Sequence, residues 1–216
     1  MNVTSTDKQI RVLNALVEGN SIRSIERMFD IHRDTVMRLL IRIGNKCQIV
    51  LEQLMNGFHC KRIQIDEIWT FVRKKERHLT DIDRQSYLEV GDQFVFIALD
   101  PDTKLIPTFV VGKRNTQTAI EFMLDLEQKL NGNGRIQLTT DGFGPYLLAV
   151  KEAFGENIDF AQLTKIFATD YIGPGRYAPP KVTEVLSKVI NGNPDFRFIS
   201  TSYIERQNLT VRHAFS

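Results

Sequence analysis

Cysteine is scarce in this chain, with only Cys47 and Cys60 among 216 residues. The two are not spaced as a CxxC pair, so neither a disulfide framework nor a thiolate zinc site is expected, and His59 beside Cys60 lacks a second close ligand pair. Net charge is also small, at +2 from 28 Lys and Arg against 26 Asp and Glu. That balance excludes a whole-chain electrostatic argument for nucleic-acid binding, so any such case must rest on local clustering. No apolar run approaches the roughly 20 residues needed to span a bilayer. The start, Met1-Asn2-Val3-Thr4-Ser5, lacks the charged and then apolar form of a secretion signal. Internal repeats and low-complexity tracts are missing too. A cytoplasmic protein with no membrane partner is the expectation. What remains is ordinary globular composition, 42% hydrophobic and 25% charged, long enough for one good-sized domain or for two, one of them small.

Residues 5 to 47 predict three helices. Ile10, Leu13, Leu16 and Val17 recur at helical spacing from about Thr6, and Gly19-Asn20 is a natural stop. Ser21 can cap a short helix carrying Ile22, Ile25 and Met28, which Asp30-Ile31-His32 breaks. A third helix from about Arg33 to Cys47 would turn Val36, Leu39, Leu40 and Ile43 inward. Two short helices joined by a tight turn, the second one cationic, form the helix-turn-helix pattern. Between Arg23 and Lys46 six cations face three acids, a modest phosphate-binding footprint. On this reading His32, Arg33 and Thr35 open a recognition helix and meet base edges, while Arg38 and Arg42 sit against the DNA backbone. The plainer reading is a three-helix bundle with a solvated charged face. Gln48 to His59 continues as a helical connector ending at Asn56-Gly57.

The period then changes. Arg62 to Val72 alternates as a strand, with Ile63, Ile65, Trp69 and Phe71 on one face and Asp66 pointing the other way with Ile68 and Val72. The basic turn Arg73-Lys74-Lys75-Glu76-Arg77-His78 either touches a phosphate backbone through Lys74 and Lys75 or is simply solvated. Phe94 to Leu99 predicts a central strand, and Asp100 to Lys104 a turn. Leu105 to Val111 predicts the returning strand of a hairpin. A helix from Asn115 or Thr116 to Leu130 follows, then a strand through Ile136, Leu138 and Thr140 that ends at Asp141. Further on the pattern predicts a helix from about Pro145 to Phe154 and a short strand near Ile158 to Leu163. After these come an inserted Gly- and Pro-rich loop over Phe167 to Pro180, a helix over Val182 to Ile190, and a last helix from Ser202. Three strands, a helix and a fourth strand tipped by an acid is the order of the ribonuclease H-like fold. The fold class expected is therefore α/β, a mixed sheet flanked by helices over residues 59–216, preceded by a small all-α helix-turn-helix domain over residues 1–58.

A carboxylate within an apolar strand is costly unless it is paired, exposed or holding a cation. Asp66 is such an acid, and Asp141 and Glu205 follow it at intervals of 75 and 64 residues. Cleaving or transferring a phosphodiester needs charge neutralised on the attacking and leaving oxygens, which two divalent ions roughly 3.5 to 4 Å apart can do when carboxylates hold them. Magnesium suits oxygen ligands and keeps waters for a substrate to displace, and manganese can replace it. Each acid also has a plainer role: Asp66 in an ion pair with Arg62 or Lys74, Asp141 in a turn with Gly142, and Glu205 in the capping box Ser202-Tyr203-Ile204-Glu205.

Several stretches together resemble bacterial insertion-sequence transposases of the DDE type, close to the insertion sequence one group. They are Ile65-Asp66-Glu67-Ile68-Trp69, Gly91 to Asp100 with Thr103-Lys104-Leu105, Val111-Gly112-Lys113-Arg114, Thr139-Thr140-Asp141-Gly142 and Ser200 to Thr210. The resemblance implies Asp66, Asp141 and Glu205 as a catalytic, metal-binding triad using Mg2+ or Mn2+, with Arg206 and Asn208 supporting the site or touching DNA. It implies cutting and joining of double-stranded DNA at terminal inverted repeats, insertion into target DNA, and a homodimer or larger assembly on DNA in a bacterial cytoplasm. Members of that group carry paired cysteines at the amino end and a basic helical region well past the glutamate. This chain has no such cysteines and stops 11 residues after Glu205, as expected of a truncated copy, for which a non-catalytic DNA-binding protein is the alternative.

Overall fold

The computed structural model of the chain describes residues 4–86, 89–132, 134–168 and 181–214. Its contacts divide into two units, Met1–Asn56 with Arg206–Ser216, and Gly57–Glu205.

The first unit begins with three helices, α1 (Thr6–Val17), α2 (Ile22–Phe29) and α3 (Arg33–Met55). Each starts on a side chain that accepts a backbone N–H left over at a helix start: Ser5 from Lys8, Ser21 from Ser24 and His32 from Asp34. Asp30, in the left-handed region at φ 46°, ends α2. Val12, Ala15, Ile25, Ile31, Val36 and Leu39 form the core, with Leu13 and Leu16 packed partly against it, whereas Ile10 and Val17 are exposed. Leu40, expected inward, is exposed as well. A helix turns about 100° per residue, and Leu39 already takes the core-facing position at that level. The helical connector expected after Cys47 is continuous with the third helix, so that α3 runs unbroken for 23 residues and is capped at Asn56, where Asn56-Gly57 was expected to end it.

The second unit is built on β1 (Arg62–Val72), followed by a 3-10 turn at Glu76–His78, α4 (Asp81–Ser86), β2 (Gly91–Leu99), β3 (Phe109–Gly112), α5 (Thr116–Lys129), β4 (Ile136–Thr140), α6 (Pro145–Phe154), β5 (Ile158–Ala168), β6 (Lys181–Asn191) and a second 3-10 turn at Phe196–Phe198; α7 (Ser202–Ala214) starts here and crosses the boundary between the units. The six strands form one mixed sheet in the order β3-β2-β1-β4-β5-β6. β1 pairs antiparallel with β2 and parallel with β4, β4 pairs parallel with β5, and β6 returns antiparallel on β5. Ile63 and Ile65 of β1 join Phe96, Leu138 and Phe160 in a buried cluster with Phe122, Met123 and Leu126 of α5 and Tyr146 and Val150 of α6. One face of the sheet is therefore covered by these two helices, and the alternate residues Gln64 and Asp66 look away from them. Trp69 and Phe71, on the side of the isoleucines, are part exposed near the end of β1, their rings 5.7 Å apart.

Two expectations are corrected. The returning strand begins at Phe109 instead of Leu105, for Pro107 has no N–H to give a ladder. Residues 182–190, expected as a helix, lie within strand β6. Val182, Val185, Leu186 and Val189 do recur at helical spacing, but all four are part exposed on the sheet edge, and the β-branched residues Val182, Thr183, Val185, Val189 and Ile190 favour the pairing with β5. β5 also runs to Ala168, past the expected end at Leu163. The rest of the expected inserted loop, residues 169–180, lies outside the described residues.

Candidate active site

Asp66 and Asp141 meet because of strand register. β1 and β4 run parallel with Gln64 opposite Thr139, so two residues further on Asp66 comes alongside Asp141, just past the end of β4. This is where the strand order reverses, β1 leading outward to β2 and β4 outward to β5, and such a switch point leaves a crevice at the carboxyl ends of the strands. Ligand oxygens of Asp66, Glu67 and Asp141 lie within 4.8 Å of one another.

Glu67 was not among the residues expected at the site. It stands on the helix-covered side of β1 with its carboxylate almost fully enclosed, accepting a hydrogen bond from the Tyr146 hydroxyl of α6 and one from Arg114 Nε at 3.2 Å. Burial pushes this carboxyl up to about 7, the charge of Asp141 adds to the rise, and Tyr146 and Arg114 oppose it. Tyr146, wholly buried, is in turn held well above its ordinary value by burial and by Glu67. The signal for it in the sequence is an acid inside the apolar run of β1, next to Asp66 and so on the opposite face of the strand.

Asp141 is fixed from three directions. Its Oδ1 accepts the Phe143 N–H at 3.0 Å, its Oδ2 meets Arg114 Nη2 at 3.2 Å, and Gln162 Nε2 of β5 donates to the carbonyls of Asp141 and Phe143. Arg114, from the turn between β3 and α5, sets its guanidinium carbon over the Phe143 ring, 3.9 Å from the centroid. One guanidinium thus bridges Glu67 and Asp141.

Glu205 lies outside the 4.8 Å group yet shares with Asp141 the wall of an open cavity of about 500 Å³, which Arg114, Phe143, Lys165 and Thr201 also line. Its carboxylate accepts both from Lys165 Nζ of β5, at 2.6 Å to Oε2, and from the Thr201 hydroxyl at 2.6 Å. The carboxylate is thus spent on these two side chains, and the leading N–H groups of α7 are taken by other acceptors. Ser202 N–H donates to Ser200 Oγ, and Tyr203 and Ile204 N–H both donate at 3.1 Å to Oε1 of buried Gln64. Gln64 therefore ties the helix that carries Glu205 to the strand that carries Asp66.

The cations named as partners for Asp66 are engaged elsewhere, Arg62 with Asp102 and Lys74 with Asp83 at 2.8 Å. Lys75 lies over the Trp69 ring at 5.1 Å. In the first unit His32, Arg33 and Arg38 are exposed and Thr35 is half-buried, all in the first turns of α3. The Arg33 N–H donates to Glu26 at 3.0 Å, and Arg42 donates to Gln9 of α1 at 2.6 Å. Arg206 is exposed on α7, while Asn208 is buried.

No family model matches the chain, and no curated protein does. Among solved structures it is similar to the piggyBac transposase synaptic complex with hairpin DNA, at 12% identity and a TM-score of 0.46, over 98% of this chain and 58% of that one. It is also similar to the Mos1 transposase paired-end complex with the left transposon end, at 13% identity and a TM-score of 0.31 over 74% of this chain and 60% of that one, and to the Mos1 mariner paired-end complex with Mn, at 12% identity and 0.30 over the same shares. The chain thus spans less than two thirds of each.

Proposed function

We propose that this chain is a DDE-type transposase of the bacterial insertion-sequence kind, close to the insertion sequence one group, with a ribonuclease H-like catalytic domain. The observation that carries the reading is the parallel register that sets Asp66 beside Asp141 at the switch point of the sheet, with Glu205 on the wall of the same cavity. The donors support the metal this reading requires: Asp66, Glu67 and Asp141 offer carboxylate oxygens within 4.8 Å of one another, suited to Mg2+ or Mn2+ and not to a softer ion, while Glu205 stands outside that group on the cavity wall. Asp66, Asp141 and Glu205 would hold it, with Glu67 as a further ligand. Bound there, the metal supplies positive charge to the attacking and leaving oxygens of a phosphodiester.

The chain's own residues position the reaction. Gln162 and the Phe143 N–H fix Asp141, and Gln64 fixes the start of α7, so the acids stand on rigid elements. In the reaction we assign, water attacks phosphorus at the transposon end and the bond to the 3′ oxygen breaks, leaving a 3′-hydroxyl. That hydroxyl then attacks a phosphodiester of target DNA, forming a new P–O bond and releasing a target 3′-hydroxyl.

The helix-turn-helix of α2 and α3 would read the terminal inverted repeats through His32, Arg33 and Thr35, with Arg38 and Arg42 on the backbone. Lys74, Lys75 and Arg206 are assigned to further phosphate contacts. Asn208, being buried, is assigned to support of the site. Pairing two ends calls for a homodimer or larger assembly on DNA in the bacterial cytoplasm.

The test is cleavage of a labelled duplex carrying the inverted repeats that flank the gene, in Mn2+. The parent should nick at the repeat boundary, and Asp66→Asn and Asp141→Asn should retard the duplex in a gel without cutting it. Equal cutting by both variants refutes the reading. The Lys165–Glu205 pairing favours one other reading, a DNA-binding protein that does not cleave. It predicts end binding in EDTA and no nicking by the parent at any metal concentration.

A further inference from the structure

Two acids of the group, Glu67 and Asp141, and Glu205 beyond it are served by two cations of the chain itself. Arg114 spans Glu67 and Asp141 at 3.2 Å to each, its guanidinium over the Phe143 ring, and Lys165 takes both oxygens of Glu205. Both cations line the cavity that Asp141 and Glu205 share, and both side chains are partly open to it, 35% for Arg114 and 28% for Lys165. They come from separate elements, the β3–α5 turn and β5, yet each ends on a carboxylate of the site. Clustered carboxylates repel one another unless a positive charge stands between them, and a guanidinium fork can serve two at once where an ammonium serves as a point charge.

We propose that Arg114 and Lys165 are resident counter-cations that a divalent metal must displace, so that these two positioning residues set how tightly the site takes its metal. The inference rests on the metal-site reading above. Metal and guanidinium compete for the same oxygens of Glu67 and Asp141, and metal and ammonium for those of Glu205. The acids are in this way held in place before the metal arrives, and metal entry is an exchange of one cation for another.

The sign of the effect separates this role from a merely structural one. Were Arg114 needed only to keep Glu67 and Asp141 in place, its loss would weaken metal binding. As a competitor, its loss strengthens it. Partly exposed ion pairs are weak, so the expected change is about two- to fivefold.

The experiment is titration of the full chain with Mn2+ alone, followed by the electron paramagnetic resonance signal of the free ion. Arg114→Met and Lys165→Met should each tighten Mn2+ binding about two- to fivefold. Arg114→Lys keeps the charge but cannot bridge both carboxylates, and should fall between Arg114→Met and the parent. It also provides the measurement if Arg114→Met fails to fold, as judged by circular dichroism, and Lys165→Gln, which removes the charge but keeps a donor and should tighten binding as Lys165→Met does, serves the same purpose for Lys165. Unchanged or weaker binding in the methionine variants, or Arg114→Lys no tighter than the parent, overturns the proposal. Asp141→Asn controls the underlying reading separately: if it binds Mn2+ as well as the parent does, the acids are not a metal site at all.

Discussion

The bond between Gln64 and the start of α7 sets a stability prediction whose size follows from geometry. Gln64 is only 3% exposed, and its one carbonyl oxygen takes the N–H groups of Tyr203 and Ile204, each at 3.1 Å. Substituting Gln64→Leu keeps the volume close and removes the acceptor. Ile204 is fully buried, so its N–H has no water to turn to. One buried donor left unmet costs about 1–3 kcal/mol, and loss of a capping acceptor alone typically costs about 1 kcal/mol. The Tyr203 N–H, beside a half-exposed side chain, can recover water and adds less. A loss of about 2 kcal/mol is expected, which at about 2–4 °C per kcal/mol for a chain of this size lowers Tm by about 4–8 °C. Urea unfolding followed by circular dichroism in EDTA measures it free of any metal contribution. Because the same bond fixes the helix that carries Glu205, Gln64→Leu should also blunt end cleavage. A loss under about 0.5 kcal/mol, within the range of an ordinary surface change, would refute the claim that Gln64 holds α7 to β1.

Other outcomes follow from single positions. Phe122 is fully buried between the sheet and α6, so Phe122→Ala should cost about 3–5 kcal/mol in urea unfolding; a cost near 1 kcal/mol would mean that the α5 layer is loosely packed. Gly192 has φ 68°, and a Cβ there would stand 2.2 Å from both Arg135 and Asp159 and 2.9 Å from the Ile158 carbonyl. Gly192→Ala should therefore lower stability by about 1–3 kcal/mol, and an unchanged unfolding midpoint would contradict the turn described. Burial pushes the Cys60 thiol up to about 12, with the Asp100 charge adding to it, while Cys47 is exposed. Since the thiolate is the reactive form, a thiol reagent at pH 8 should modify one cysteine quickly and the second only after unfolding. Two equal rates in the folded protein would refute this.

Much of the fold was readable because local signals agreed with one another. Ser21 and Asp30 mark helix ends in the sequence, and they cap and end α2 in the structure. The alternation of β1 placed Ile63 and Ile65 in the core and Asp66 opposite them, as observed. Residues 182–190 failed because their apolar spacing fits a helix, while the partner that makes them a strand, β5, is supplied by tertiary pairing. Leu40 failed for a related reason, since periodicity selects a helix stripe about 100° wide and packing chooses which residue within it is buried. At the site, Asp141 was readable from its place after an apolar strand. Glu67 showed only as an acid inside an apolar strand, its partners Tyr146 and Arg114 lying 79 and 47 residues away, and Arg114 and Lys165 are single cations whose partners lie 47 or 27, and 40 residues away.

What the sequence determined alone is the list of parts: three capped helices, an apolar strand with an acid in it, a second strand tipped by an acid, and a late helix bearing Glu205. These depend on capping chemistry and on periods of 3.6 and 2, which act over a few residues. Only the tertiary structure decided which acids meet. The parallel register of β1 on β4 brings Asp66 to Asp141, and the bridging reach of Arg114 ties Glu67 to the pair. Glu205, outside that group, is held by Lys165 on the wall of the cavity that Asp141 also lines. Charges separated by tens of residues interact only when chain folding closes the distance, and no local pattern encodes that closure.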